Sequence, residues 1–186
     1  MHRPVLVTPP ADLIDLATAK AHVRADGDDE DDLILGMARA AVAYLDGWSG
    51  VLGRCLVTQE WEIRFDVFDP VLRLPFPDVT AASVGYVGED GAAQVWADGY
   101  DLREGHGGAY LDLRPGLSWP RAHARDGVTV RFTAGYGGPE DVPAPIKQAA
   151  LLHVGTMYAM RETMAERAQP TGVYEMMIAP YRRVVG

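Results

Sequence analysis

The chain has 186 residues, enough to bury a substantial core within one compact domain. A hydrophobic content of 48% with 23% charged residues is that of an ordinary globular protein, and the net charge of −9 excludes a surface built to grip phosphates through Lys and Arg. The lone Cys55 excludes an intrachain disulfide, and no apolar run approaches a membrane span.

Residues 1–10 carry Pro4, Pro9 and Pro10, which forbid a helix and predict an extended arm too broken for a signal peptide. Asp15 is placed to cap a first helix over 16–25, with Leu16, Ala19, Lys20 and Val23 on one face and Gly27 closing it. Asp29, Glu30, Asp31 and Asp32 then fall in the first turn of a second helix, where free amide groups favour carboxylates. On that helix Leu33, Met37, Ala40, Ala41, Tyr44, Leu45 and Trp48 read as one broad core stripe, stopped by Gly50. Small residues at 38, 40, 41 and 43 permit another helix to approach closely.

From Cys55 the period changes to two. Val57, Gln59, Trp61, Ile63 and Phe65 alternate with Thr58, Glu60, Glu62 and Arg64, as in a half-buried antiparallel strand. Residues 72–75 read as a short edge strand. Residues 82–87 and 93–96 flank an Asp-Gly turn and predict a hairpin; 100–103 and 109–113 predict a second pair, and 128–133 a last strand. Pro143 and Pro145 suit the first turn of another helix, with Ile146, Ala149, Ala150, His153, Val154, Met157, Tyr158 and Arg161 at helical spacing. The reading is therefore α+β. Two N-terminal helices and one long C-terminal helix form a helical core, with an inserted antiparallel β-sheet or small barrel and an extended C-terminal tail. It treats 1–186 as a single domain, with N-terminal helices in 1–54, the β insertion in 55–134, the helix in 143–166 and the tail in 170–186.

No constellation of catalytic groups emerges. The acidic run 28–32 lacks the Gly at the sixth position and the Glu at the twelfth that a calcium loop requires, and the five histidines form no metal-binding pair. Gly135-Tyr-Gly-Gly138 precedes a helix, but the Pro, Glu and Asp that follow would repel a phosphate. No nucleophile elbow is present, and no cofactor or metal is expected. An alternative reading is a small β-rich ligand-binding module or hydrolase with a site near Trp96, His106 and Trp119, whose rings could stack on a sugar or base. The tail is different: Met176, Met177, Ile178, Tyr181, Val184 and Val185 are an apolar liability unless they dock. Docking on a neighbour or partner fits better than self-packing on the same domain, because Tyr and Arg are the residue types enriched at interface hot spots.

Eight pieces occur in order along nearly the whole chain. They are Leu16-x-x-Ala-Lys-x-His-Val-Arg-x-Asp26, Asp31-Asp32-Leu33-Ile34, Ala40-Ala-x-x-Tyr44 through Trp48-x-Gly50, Gln59-x-Trp61-Glu62, Leu74-Pro75, Trp119-Pro120, Ala134-Gly-Tyr-Gly137, and Val142-Pro-x-Pro-Ile-Lys-Gln-Ala149. With these the chain resembles the head–tail connector (adaptor, or head-completion) proteins of long-tailed bacteriophages and phage-derived gene transfer agents. Val51-Leu52-Gly53-Arg54 departs from the usual pattern of that loop.

The resemblance implies a non-enzymatic subunit of a ring of twelve copies at the head–tail junction of a virion or phage-like particle, assembled in the bacterial cytoplasm. It implies as partners further copies of the chain, the portal protein and a tail-side stopper or terminator protein, with no membrane. DNA would pass through the channel without specific binding. On this expectation Met176, Met177, Ile178, Tyr181, Arg182, Arg183 and Val184 meet the portal, while Arg39, Ala43, Tyr158 and Arg161 lie at the ring interface.

Overall fold

The structure, a computed structural model, describes residues 2–105, 107–123, 127–160 and 172–183. The chain is α+β, with four helices and two antiparallel sheets among the described residues, and it divides into two compact units. The helical unit comprises Ala11–Val57 and Gly137–Arg183; the β unit comprises the residues up to Pro10 and Thr58–Tyr136.

In the helical unit, α1 (Leu16–Val23) starts where expected: the Asp15 carboxylate accepts the Thr18 backbone N–H at 2.6 Å. It closes earlier than Gly27. Arg24 takes the left-handed conformation (φ 56°), and Gly27 (φ 76°) instead shapes the turn that follows. That turn is held by Lys20, whose Nζ donates to the Gly27 carbonyl at 2.6 Å and to Asp28 and Asp31 at 3.1 and 2.6 Å. The hydrogen bond to Asp31, then that to Asp28, raises the Lys20 ammonium above the ordinary lysine range. Lys20 thus ties α1 to the start of α2 (Asp31–Leu45), whose first turn holds Asp31 and Asp32.

The core face of α2 differs from the expected stripe. Ile34, Ala38, Ala41 and Leu45 are buried, whereas Leu33, Ala40, Tyr44 and Trp48 are exposed. Both lines have helical spacing and both are apolar, so periodicity alone does not choose between them. The helix also ends at Leu45, before Trp48. Asp46 leaves the helical conformation, and its carboxylate accepts the Leu56 N–H at 2.6 Å, turning the chain back. Gly50 is required inside this turn, because a Cβ there would overlap the Asp46 backbone. Gly50→Ala is expected to destabilise the fold by about 1–3 kcal/mol, read as a lower urea midpoint at unchanged slope.

Helix α3 (Ala144–Ala159) carries Pro145 in its first turn and buries Ile146, Ala149, Ala150 and Val154. Alanines on α2 and α3 leave room for the close approach that the small residues predict. Met160 closes α3, and residues 161–166 of the expected helix lie outside the described residues. The tail corrects an expectation. Rather than extending, Gly172–Ile178 forms a helix, α4, followed by a 3-10 turn over Ala179–Tyr181. Tyr174 is 3% exposed and Ile178 0%, so the described tail packs on its own unit; burying these two apolar side chains is what outweighs the cost of ordering it. The Arg183 N–H then donates to the Leu52 carbonyl at 3.0 Å.

In the β unit the strands are β1 (Val5–Thr8), β2 (Gln59–Phe65), β3 (Val71–Arg73), β4 (Val79–Val87), β5 (Ala93–Trp96), β6 (Tyr100–Gly105), β7 (Gly108–Leu113) and β8 (Val128–Ala134). They form a five-stranded sheet, β1-β2-β8-β4-β5, and a three-stranded sheet, β3-β7-β6, all antiparallel. The alternation in β2 is realised: Gln59, Trp61, Ile63 and Phe65 are buried and Arg64 is exposed. The hairpin β4–β5 turns through Gly91 at φ 79°. The expected pairing of 100–103 with 109–113 is the β6–β7 hairpin. The extended arm acquires a role not anticipated for it, since β1 pairs with β2 and forms one end of the larger sheet.

Candidate assembly interface

The residues of α2 that do not enter the core form an exposed apolar line in the helical unit. Leu33, Met37, Ala40 and Tyr44 recur at helical spacing on one face; Leu33, Ala40 and Tyr44 are exposed and Met37 half-buried. Beside them Ala40, Ala41, Tyr44, His153, Thr156 and Met157 line an open groove of about 360 Å³ between α2 and α3. Contiguous exposed apolar surface of this kind is characteristic of places where proteins associate.

One wall of the groove is a ladder of rings. The Tyr44 ring lies 5.0 Å from that of His153, which stacks on Tyr174 of α4 at 4.6 Å with an interplanar angle of 6°. Burial lowers the proton affinity of His153 and, as the largest cause, pushes the Tyr174 hydroxyl up to about 12. Burial thus favours the uncharged form of both rings. A histidine held below its ordinary pKa contributes fully above that value, and the contribution is lost as pH falls below it. Acidification from pH 7 to 5 is expected to loosen α4, seen as faster amide exchange across 172–178; His153→Phe is expected to flatten that dependence.

The structure separates the expected interface residues. Met176 is 77% exposed and lies three residues from exposed Val173, whereas Met177 is half-buried and Ile178 belongs to the core. Ile178 is thus corrected from a partner-facing residue to a packing residue. Tyr181 is half-buried. Exposed Arg182 pairs with Glu175 at 3.1 Å, and Arg183 is held through its backbone to Leu52. Val184 and Arg161 lie outside the described residues.

Ala43 is exposed on α2. Arg39 is occupied by Asp12, with Nε and Nη2 at 3.0 and 2.9 Å from its two oxygens. Hydrogen bonding from Arg39 holds the Asp12 carboxyl below the usual range. The Tyr158 hydroxyl donates to Glu30 at 2.6 Å, tying the end of α3 to the start of α2. Both residues therefore serve the unit's own architecture.

The aromatic alternative is also visible in geometry. Phe68 stacks on Trp119 at 4.7 Å and 9°, and Trp96 and Tyr100 each lie 6.2 Å from Trp119. One face of the Trp119 ring is thus covered by Phe68. His106 lies outside the described residues. Among the described residues no three His, Cys, Asp or Glu side chains stand together to hold a metal, and no helix is long and apolar enough to cross a membrane.

The exposed ridge escaped sequence reading because Leu33 and Tyr44 were assigned inward. The available signal was the second stripe, Ile34-Ala38-Ala41-Leu45, whose presence makes the helix apolar on two sides.

No family model matches the sequence, and neither does any curated protein. Three solved chains share the fold end to end. One, from the neck of an empty gene transfer agent particle computed with C6 symmetry, is 23% identical, with TM-score 0.81 over 98% of this chain and 96% of that one. Another, from the virion of a native gene transfer agent particle, is 24% identical, with TM-score 0.79 over 98% and 96%. A third, from the neck of a native particle computed with C12 symmetry, is 22% identical, with TM-score 0.76 over 97% and 96%.

Proposed function

We propose that this chain is a structural head–tail adaptor: a ring-forming subunit, twelve copies to a ring, joining the portal of a DNA-filled capsid to the tail and extending the DNA channel. The observation that carries this reading is the end-to-end likeness to chains of particle necks and a virion, which coincides with the order of the eight sequence pieces. The molecule's task is then geometric, and no reaction is assigned to it. Identical subunits in such a ring meet through two different patches, closed by rotation.

The exposed α2 ridge and the groove beside it supply an apolar patch for the ring wall, with Ala40 and Tyr44 common to both. On the tail, Val173 and Met176 face outward and form the portal contact, together with Tyr181 and Arg182. A tail-side stopper or terminator protein meets the opposite end of the ring. The net charge of −9 suits a conduit that DNA traverses without sticking.

The test is where the protein resides. Gold-labelled antibody against the chain, applied to purified particles from producing cells, is expected to mark the junction of head and tail. Label absent from particles, or spread over the capsid, overturns the reading. A second expectation separates assembly from folding. Leu33→Glu, at an exposed position, is expected to shift unfolding by no more than about 0.5 kcal/mol. It is nevertheless expected to eliminate tailed particles, counted by negative-stain microscopy.

A further inference from the structure

The five-stranded sheet ends in two strands, β1 (irregular between Leu6 and Thr8) and β5, whose outer edges carry no charged side chain. Among the described residues β1 pairs only with β2 and β5 only with β4, so each presents an open backbone edge. Both strands are short, four residues each, and neither contains a charged side chain: Val-Leu-Val-Thr in β1 and Ala-Gln-Val-Trp in β5. All of β1 is exposed, with Val5 at 63%, and Val95 of β5 is 73% exposed. Natural sheets blunt free edges with charge. The smaller sheet does so: its edge strand β3 carries Arg73, and β6 carries Asp101, Arg103 and Glu104. The contrast lies within one unit of one chain and picks out β1 and β5.

The flanks of the two open strands have opposite charge. His2 and Arg3 precede β1, and Arg3 has no ion pair among the described residues. Glu89 and Asp90 precede β5; Glu89 reaches Arg121 only at 3.8 Å, and Asp90 turns its carboxylate to the Ala92 N–H at 3.0 Å. Arg3 stands two residues before its strand and Asp90 three before its own. A parallel alignment of the strands therefore brings the cation beside the acid.

The sheet order dictates that alignment. Four successive antiparallel pairings leave β1 and β5 running in the same direction. Rotation about a ring axis turns each copy without inverting it, so the same strand sense carries from one copy to the next. We infer that β1 of one copy pairs in parallel with β5 of the next, so that the five-stranded sheet continues from subunit to subunit. The occupant of each open edge is a second copy of this chain. This rests on the ring reading above and adds to it a contact made by the β unit.

Cysteine trapping tests the inference, because the only native cysteine, Cys55, is buried. Val5→Cys and Ala93→Cys are combined in one full-length chain, produced in cells that make particles, and the purified particles are oxidised. The expected result is a ladder of disulfide-linked multimers on a denaturing gel, collapsing on reduction. Each single variant is expected to run as monomer. Tailed particles that contain the double variant but give no ladder overturn this contact and leave the ring reading standing. Dimers from either single variant also overturn it, since they mean like-to-like pairing.

Absence of wild-type chain from particles overturns the ring reading and this inference together. Charge exchange supplies an arm free of cysteine: Arg3→Asp or Asp90→Arg alone is expected to reduce tailed particles, and the two together to restore them. Equal loss in all three variants overturns the parallel register.

Discussion

Ending the chain at residue 171 is expected to remove about 3–6 kcal/mol from the stability of the helical unit. Ile178 is fully buried and Tyr174 nearly so, and each large apolar side chain taken from water contributes about 1.5–3 kcal/mol. The stack on His153 and the Arg183 N–H bond to Leu52 go with them. Against a net stability of about 5–15 kcal/mol for a whole domain, this is a large fraction. Urea unfolding of the truncated and full chains measures it directly. Met176→Ser is the control: at an exposed position on the same helix it is expected to change stability by less than about 0.5 kcal/mol. A truncated chain with an unchanged midpoint would mean that residues 172–183 do not rest on their own unit.

The tail also shows where sequence reasoning stops. An apolar segment after Pro170 and Gly172 announces that it docks, but composition does not say on what. The answer depends on long-range geometry: Tyr174 meets His153 of the preceding helix α3. Helix α2 presents the same difficulty in another form. With apolar residues on two faces, only the position of α3 decides that Ile34 points inward and Leu33 outward. Its end was equally hidden, because it is set by a bond from Leu56, ten residues on, to the Asp46 carboxylate.

By contrast, patterns that are local in sequence were legible. The period-two run in β2, the Asp-Gly hairpin of β4 and β5, the β6–β7 pair and the Asp15 cap each depend on neighbours within a few residues. The β1 edge falls between the two cases. Val5–Thr8 has three β-branched residues in four and is framed by prolines, a strand signal in itself, yet its partner β2 lies over fifty residues away.

Phe76→Ala is expected to be the most damaging single substitution in the β unit, at about 3–5 kcal/mol. Phe76 is 1% exposed, and its ring bridges two others, with centroids 5.1 Å from Trp61 of β2 and 6.1 Å from Phe132 of β8. The pairs are tilted at 59° and 51°, arrangements that gain about 0.5–1.5 kcal/mol beyond area burial. Deleting the ring leaves a cavity bordered by strands already paired to each other, with Trp61↔Phe132 in register, so the walls have little freedom to collapse. Trp61 would lose its aromatic neighbour while its indole N–H stays bonded to buried Gln59 at 3.1 Å, holding the side chain at the cavity edge. Near-ultraviolet circular dichroism should then lose tryptophan signal before the far-ultraviolet signal falls. Phe76→Leu refills most of the volume and is expected to cost less than about 1.5 kcal/mol. If Phe76→Leu and Phe76→Ala unfold at the same urea concentration, the aromatic bridge is not what holds the β2–β8 face together.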